Sequence, residues 1–134
     1  MPLTVTSVCT IIFALLTIAL SFQVTLRRIA IGNVAVGDGE DALLKLKRET
    51  LRNFAEYVPL GLILLAVYEN TFGSVTSTMV FAGLFLFSRL FHIFGFQFMQ
   101  SPKFFAPAMV MQHTYFSVAS LMILYQLITG SSGG

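Results

Sequence analysis

A single arginine stands inside a stretch that is otherwise free of acidic and basic residues and long enough to cross a bilayer. Arg89 lies within Asn70–Gln100, a segment rich in Phe and Leu. A guanidinium at this depth costs about 3 kcal/mol on insertion scales, so it requires a polar partner, water or a bound anion. Asn53 and Glu56, at the start of the preceding apolar run, are the candidate partners. Such intramembrane polar groups indicate a functional site.

The composition is that of an integral membrane protein with one domain over residues 1–134. Of the 134 residues, 56% are hydrophobic and 10% are charged, whereas a soluble domain carries about 25% charged residues. The net charge of +2 gives no indication of nucleic-acid binding. The single cysteine, Cys9, excludes an intrachain disulfide. Two histidines without acidic companions at ligand spacing argue against a metal site.

Four segments are long and apolar enough to form membrane-spanning helices, which need about 20 residues each. They predict an all-α, up-down bundle with helices at residues 3–27, 42–69, 75–99 and 104–128. The first apolar run, Leu3 to Leu26, exceeds the apolar part of a cleavable signal, about 7–15 residues, so we expect a permanent helix. A loop is expected at Asn70–Ser74, and Pro102 is expected to break the third helix.

The basic residues fall on one side of this bundle. The loop Asn70–Ser74 and the two terminal segments contain no Lys or Arg. By the positive-inside rule, the basic side faces the cytoplasm and both termini face outside. The residues on the basic side are Arg27, Arg28, Lys45, Lys47, Arg48, Arg52 and Lys103.

The helical rise places several polar side chains at a similar depth. At about 1.5 Å per residue, Asn53, Arg89 and His113 each lie roughly 15 Å along their helices from the cytoplasmic ends. The predicted polar layer comprises Asn53, Glu56, Arg89, His92 and His113, with Arg48 and Arg52 as a basic rim above it. Purely structural roles stay open. Arg52 and Glu56 have the i, i+4 spacing of a local ion pair, and Arg89 could clamp Glu56. Either histidine is more often a packing residue than a catalyst.

The polar layer favours a small, water-soluble ligand with carboxylates and one ammonium group. Arginines bind carboxylates as two-pronged forks, Glu56 can hold an ammonium group, and Asn53 can bond an amide. Glutathione has this pattern, and positive charge nearby favours its thiolate. Because a four-helix bundle is too thin to enclose a tripeptide, we expect the pocket to lie between protomers, open to cytoplasm and lipid.

The segment Asn53–Leu60 has the spacing Asn-x-x-Glu-Tyr-x-Pro and follows a basic helix start and a glycine-containing loop at residues 31–39. In these features the chain resembles the MAPEG proteins, membrane-associated proteins in eicosanoid and glutathione metabolism, and their bacterial branch most of all. Arg89–Gly95 resembles the third-helix motif of the family. The resemblance covers nearly the whole chain in length and helix order.

The resemblance implies a homotrimer in the bacterial inner membrane, with glutathione as co-substrate at each subunit interface. It implies transferase or peroxidase activity in detoxification, acting on lipophilic electrophiles or lipid hydroperoxides. Asn53 and Glu56 match the family's glutathione-binding amide and acid, and Tyr57 follows them as in several members. Arg89 matches a helix-three glutathione contact, and His92 stands where some members have a tyrosine.

Two positions depart from the family pattern. Glu49 stands where the family usually has an arginine, for which Arg48 or Arg52 could compensate. Lys103 falls near the place of the thiolate-activating arginine, and lysine supplies a point charge instead of a fork. We therefore expect Lys103 and Arg89 to be the catalytic cations. A non-catalytic lipid-binding or scaffold protein of the same fold is the alternative. A channel or transporter is disfavoured because no helix carries a continuous polar stripe.

Overall fold

Four long helices form the described part of the chain, as the sequence predicts. The computed structural model describes residues 2–32 and 35–131, so Asn33 and Val34 of the predicted loop lie outside the described residues. The third helix continues as a π-helical turn at Gly95–Met99, and the described ranges contain no strand. The helices are α1 (Thr4–Ala30), α2 (Ala42–Phe72), α3 (Val75–Phe94) and α4 (Pro102–Ser131).

Among the described residues, three helical segments are long and apolar enough to cross a membrane, which confirms an integral membrane protein. These segments are Thr4–Ala30, Ala42–Phe72 and Val75–Met99. The helix α4 has 30 residues, a length of about 45 Å at 1.5 Å per residue. Within the bundle, α1 packs along α2, and α4 packs along α2 and α3.

One carboxylate links the end of α1 to the start of α2. Asp41 precedes the first residue of α2 and accepts a hydrogen bond from the backbone N–H of Leu44 at 2.7 Å, which caps the helix. The same carboxylate accepts two hydrogen bonds from Arg27, at 3.0 and 2.7 Å. This guanidinium, followed by the Leu44 N–H, lowers the pKa of Asp41 below its ordinary value.

The turn between α2 and α3 is shorter than predicted. Because α2 continues through Phe72, only Gly73 and Ser74 connect the two helices. Gly73 has φ 62°, a left-handed conformation that glycine adopts readily, and its N–H donates to the carbonyl of Glu69 at 2.9 Å. The predicted loop Asn70–Ser74 is therefore wrong at its start, because the last turn of α2 is stabilised by this glycine cap.

The connection between α3 and α4 also differs from the prediction. The π-helical turn ends at Met99, and Gln100 then takes φ 50°, which turns the chain before any proline is reached. Pro102 is the first residue of α4, a position where its missing N–H leaves no helical hydrogen bond unmade. The expectation that Pro102 breaks the third helix is therefore wrong: the proline begins the fourth helix.

Aromatic rings from all four helices fill the middle of the bundle. Phe13 of α1 contacts Phe54 of α2 and Phe85 of α3, with ring centroids 5.7 and 5.2 Å apart. Phe85 stacks on Tyr115 of α4 at 4.8 Å. The buried Tyr115 hydroxyl donates to the carbonyl of Gly61 at 2.8 Å. This ring cluster packs all four helices together next to the polar layer.

Gly61 lets α2 approach α3 closely, which leads to a stability prediction. A Cβ atom at this position would overlap the end of the Phe85 ring, and Phe85 is itself fully buried. Since the ring is held by Phe13 and Tyr115, we expect Gly61→Ala to lower the free energy of unfolding by about 1–3 kcal/mol. Denaturant unfolding in detergent measures this change. Gly83→Ala, where a Cβ meets nothing within 4 Å, is the control, and equal losses for both variants would contradict the packing argument.

Candidate functional site

The predicted pairing between α2 and α3 is present at the predicted depth. Arg89 is 1% exposed, and its Nη1 donates to Oδ1 of Asn53 at 2.8 Å. Its Nη2 lies 3.5 Å from the sulfur of Met109 on α4. The guanidinium carbon lies 5.7 Å from the centroid of the Tyr57 ring, within the range of a cation–π interaction. Three helices thus converge on one guanidinium.

No carboxylate neutralises Arg89 within the described residues. The ion pairs of the described ranges involve Arg27 and Arg52, and the buried Nε of Arg89 has no hydrogen-bond partner among the described residues. The guanidinium is therefore held by an amide, a thioether and an aromatic face, all of which are uncharged. These uncharged groups leave the positive charge of Arg89 unbalanced, and an anionic group close to the guanidinium would balance it.

Glu56 does not reach Arg89, so the prediction that it is a partner of Arg89, or is clamped by it, is wrong. Its side chain is 53% exposed and accepts from Nε of Arg52 at 3.1 Å. Arg52 is also 3.6 Å from Glu49, and its own side chain is 68% exposed. The local pair Arg52–Glu56, which the i, i+4 spacing allowed, is present on the outer face of α2.

A shallow polar groove lies between the end of α1 and the first turns of α2. It has a volume of about 230 Å³ and contains the predicted basic rim. Arg28, at its edge, donates to the carbonyl of Gly37 at 2.9 Å. The lining residues are Val24, Arg28, Arg48, Glu49, Leu51 and Arg52. Three guanidinium groups beside one carboxylate make this groove suited to the carboxylate of a ligand.

The two histidines have different environments. His92 is buried, with its ring stacked on Phe96 at 5.6 Å and edge-on to Phe105 at 6.1 Å. It is a packing residue within this protomer, one turn further along α3 than Arg89. His113 is exposed on α4, and its ring lies 6.0 Å from that of Tyr57. His113, not His92, therefore belongs to the outer surface of the Arg89 cluster.

Lys103 lies apart from this cluster. It is exposed in the first turn of α4, whereas Met109, the α4 residue that contacts Arg89, comes six positions later. At about 1.5 Å per residue, that is roughly 9 Å along the helix. The structure thus places the two predicted catalytic cations at different depths, with Arg89 inside the bundle and Lys103 at its rim.

Sequence reasoning missed a buried acid at the opposite end of the bundle. Glu69 of α2 is 6% exposed and accepts from the backbone N–H groups of Val5 and Thr6, at 2.9 and 2.8 Å. It also accepts from the Thr6 hydroxyl at 2.6 Å. One feature of the sequence pointed to such an acid. Leu3, the residue before α1, provides no side-chain cap, and an uncapped helix start needs hydrogen-bond acceptors from elsewhere in the protein.

A second missed residue is Gln112 of α4. It is 0% exposed, and neither its Oε1 nor its Nε2 has a hydrogen-bond partner within the described residues. Its signal in the sequence was an amide in an apolar helix. Metal ligands were not found in the described part of the chain, where no three His, Cys, Asp or Glu side chains cluster.

Comparison with known proteins identifies the family. No curated protein matches the chain. The model of the MAPEG family matches residues 6–129, a range that includes nearly all of the four helices and the whole Arg89 cluster. The matched range contains the spacing Asn-x-x-Glu-Tyr-x-Pro, whose amide and ring contact Arg89. The chain therefore belongs to the MAPEG family.

Proposed function

We propose that this protein is a glutathione-dependent transferase or peroxidase that acts on lipophilic electrophiles or lipid hydroperoxides at the interface of a homotrimer. Membership of the MAPEG family, which includes glutathione transferases and related enzymes, supports the reaction class. The observation that carries the proposal is the buried guanidinium of Arg89. It has no carboxylate partner among the described residues and lies behind the half-buried amide of Asn53 and ring of Tyr57. Such an arrangement stays ready for an anionic ligand.

The polar side chains of α2 divide into two half-sites that suit different parts of glutathione. Arg48 and Arg52, at the groove beside α1, offer forks for carboxylates. Glu56, paired with Arg52 on the outer face of α2, offers a carboxylate for the ammonium group. Asn53, directed toward Arg89 of α3, offers an amide for the peptide groups. These half-sites face different directions in one protomer. They would meet in one pocket if α1 and α2 of one protomer packed against α2 of the next.

In this proposal the basic residues have separate roles. Arg89 holds Asn53 and Tyr57 in place and provides buried positive charge for the bound ligand. His92 supports α3 by packing. Lys103 at the rim attracts the anionic tripeptide from the cytoplasm. The basic side of the bundle faces the cytoplasm of a bacterial cell, where glutathione enters, and the electrophile arrives through the inner membrane.

Equilibrium binding of glutathione in detergent tests the proposal. We expect Glu56→Ala to weaken glutathione binding at least tenfold, because the ammonium loses its carboxylate while the exposed position keeps the fold intact. Glu40→Ala, at an exposed acid in the loop before α2, is the matched control and should bind as the wild type does. Ultraviolet thiolate absorbance on mixing tests activation in the same samples. The absence of saturable glutathione binding by the wild type would overturn the proposal.

One observation favours a second candidate, a non-catalytic lipid-binding or scaffold protein of the same fold. Lys103, the residue near the position of the family's activating arginine, is exposed and lies away from Arg89. The second candidate predicts fatty-acid or lipid binding without turnover of any electrophile. Turnover of a panel of electrophiles with glutathione separates the two functions.

A further inference from the structure

One ring nitrogen of His113 is hydrogen bonded within its own helix, and the other is available to a ligand. Its Nδ1 lies 2.7 Å from the carbonyl oxygen of Met109, one turn earlier on α4. Because a carbonyl oxygen can only accept a hydrogen bond, Nδ1 carries the hydrogen in the neutral ring. The lone pair is then on Nε2. The ring is exposed and lines an open groove of about 450 Å³ on the outer face of α4. An ionisable side chain exposed at this depth is a functional candidate by default.

His113 is continuous with the residues that we assign to ligand binding. Its ring is edge-on to Tyr57 of α2, and Tyr57 also lies against the Arg89 guanidinium. Asn53 precedes Tyr57 by one helical turn, about 5.4 Å. An extended tripeptide reaches about 10 Å, and a hydrogen bond of about 3 Å at each end adds the length needed to extend from Asn53 past Tyr57 to His113.

The depth of His113 suits chemistry on a lipophilic substrate better than the depth of Lys103 does. The two residues are ten positions apart on α4, roughly 15 Å along the helix. The thiol must meet a substrate that arrives through the bilayer, so the reacting end of glutathione lies at the deeper end of the site. His113 lies there, and Lys103 lies at the cytoplasmic rim.

We propose that Nε2 of His113 accepts the proton of the glutathione thiol. This inference depends on the proposed function and assigns the group that replaces the family's activating arginine. The groups that face His113 from the helices packed on α4 are Tyr57 of α2 and, behind Tyr57 and Met109, Arg89 of α3. The positive charge of Arg89 favours the thiolate that forms between them.

The proposed step balances without a further reactant besides the electrophile. The S–H bond breaks, its proton forms an N–H bond at Nε2, and the electron pair stays on sulfur. The thiolate then forms a C–S bond to an apolar electrophile that carries a leaving group, and the leaving group departs with its bonding electron pair. The imidazolium returns its proton to that leaving group, which restores the neutral ring with hydrogen on Nδ1.

The test compares wild type with His113→Gln, using glutathione itself as the probe. Folding is expected to be unaffected, because His113 is exposed and its hydrogen bond goes to its own helix; thermal unfolding checks this. We expect glutathione affinity to stay within about threefold, while thiolate absorbance at neutral pH falls at least tenfold. The fall of kcat/KM toward acid pH that a general base produces should disappear in the variant. Added imidazole should restore thiolate formation in His113→Ala.

The outcomes separate this inference from the proposed function. If wild type and His113→Gln give the same thiolate absorbance and the same pH profile, His113 is not the base, and the proposed function stands. If the wild type binds glutathione without forming thiolate, the role of His113 and the catalytic function are both overturned. If the wild type binds no glutathione, both fail at the binding step. A variant that loses binding together with thiolate also contradicts the inference, since it would show a binding role.

Discussion

Glu69→Gln is expected to lower the free energy of unfolding by about 3 kcal/mol. The Glu69 carboxylate accepts three hydrogen bonds from the start of α1, and hydrogen bonds to a charged acceptor contribute about 1.5–3 kcal/mol each. An amide presents an NH₂ group to donors that need acceptors, so at least one backbone N–H of α1 loses its partner. Denaturant unfolding in detergent, followed by circular dichroism, measures the change.

Glu56→Gln is the matched control for this experiment. It makes the same chemical change on the same helix, but Glu56 is 53% exposed, and its partner within the described residues, Arg52, is 68% exposed. An exposed ion pair of this type contributes at most about 1 kcal/mol. If Glu69→Gln proved as mild as Glu56→Gln, the carboxylate at the start of α1 would not be a major link between α1 and α2.

Arg89→Met is expected to separate stability from function. Replacing a buried charge without a carboxylate partner by an apolar side chain of similar length removes its desolvation penalty. Such replacements are often neutral or stabilising by about 1–4 kcal/mol. We therefore expect unchanged or higher thermal stability in detergent, with at least a tenfold loss of glutathione affinity and loss of thiolate absorbance. Thermal unfolding and equilibrium binding on the same preparation provide both readouts.

Arg27→Met is the control for Arg89→Met. Arg27 has a carboxylate partner, Asp41, which it binds through two hydrogen bonds. Its replacement leaves that acid unpaired at the start of α2, so Arg27→Met is expected to destabilise the protein. If Arg89→Met destabilised the protein by several kcal/mol while glutathione binding survived, Arg89 would be a structural residue, and the functional interpretation of the cluster would be wrong.

Much of the fold could be predicted from the sequence because bilayer thickness fixes the length of each apolar segment. Every predicted helix is present, and its observed ends lie within about three residues of the predicted ones when the π-helical turn Gly95–Met99 is counted with α3. The errors lie where backbone geometry is decided locally. Gly73 extends α2 by capping its last turn, and the π-helical turn with Gln100 ends the third helical segment before Pro102. Neither the glycine cap nor the π-helical turn changes the hydrophobic pattern.

The sequence predicts how deep each candidate site residue lies along its helix, but not the direction in which its side chain points around the helix axis. The rise per residue placed Asn53 and Arg89 at a common level, and they are hydrogen bonded. Glu56 is three residues from Asn53, about 60° away around a helix of 3.6 residues per turn. That rotation turns it to the surface. Glu69 was missed for a different reason: its partners are about sixty positions away in the chain, and no local pattern reports them.

The ion pair between Arg52 and Glu56 affects which ligands this surface can select. Each charged group already neutralises the other, so a simple anion or cation gains little by displacing one partner. A zwitterion can engage both at once and exchange one set of ionic contacts for two. We therefore expect this surface to discriminate against inorganic ions and singly charged headgroups and to favour a ligand that carries both signs at the right separation.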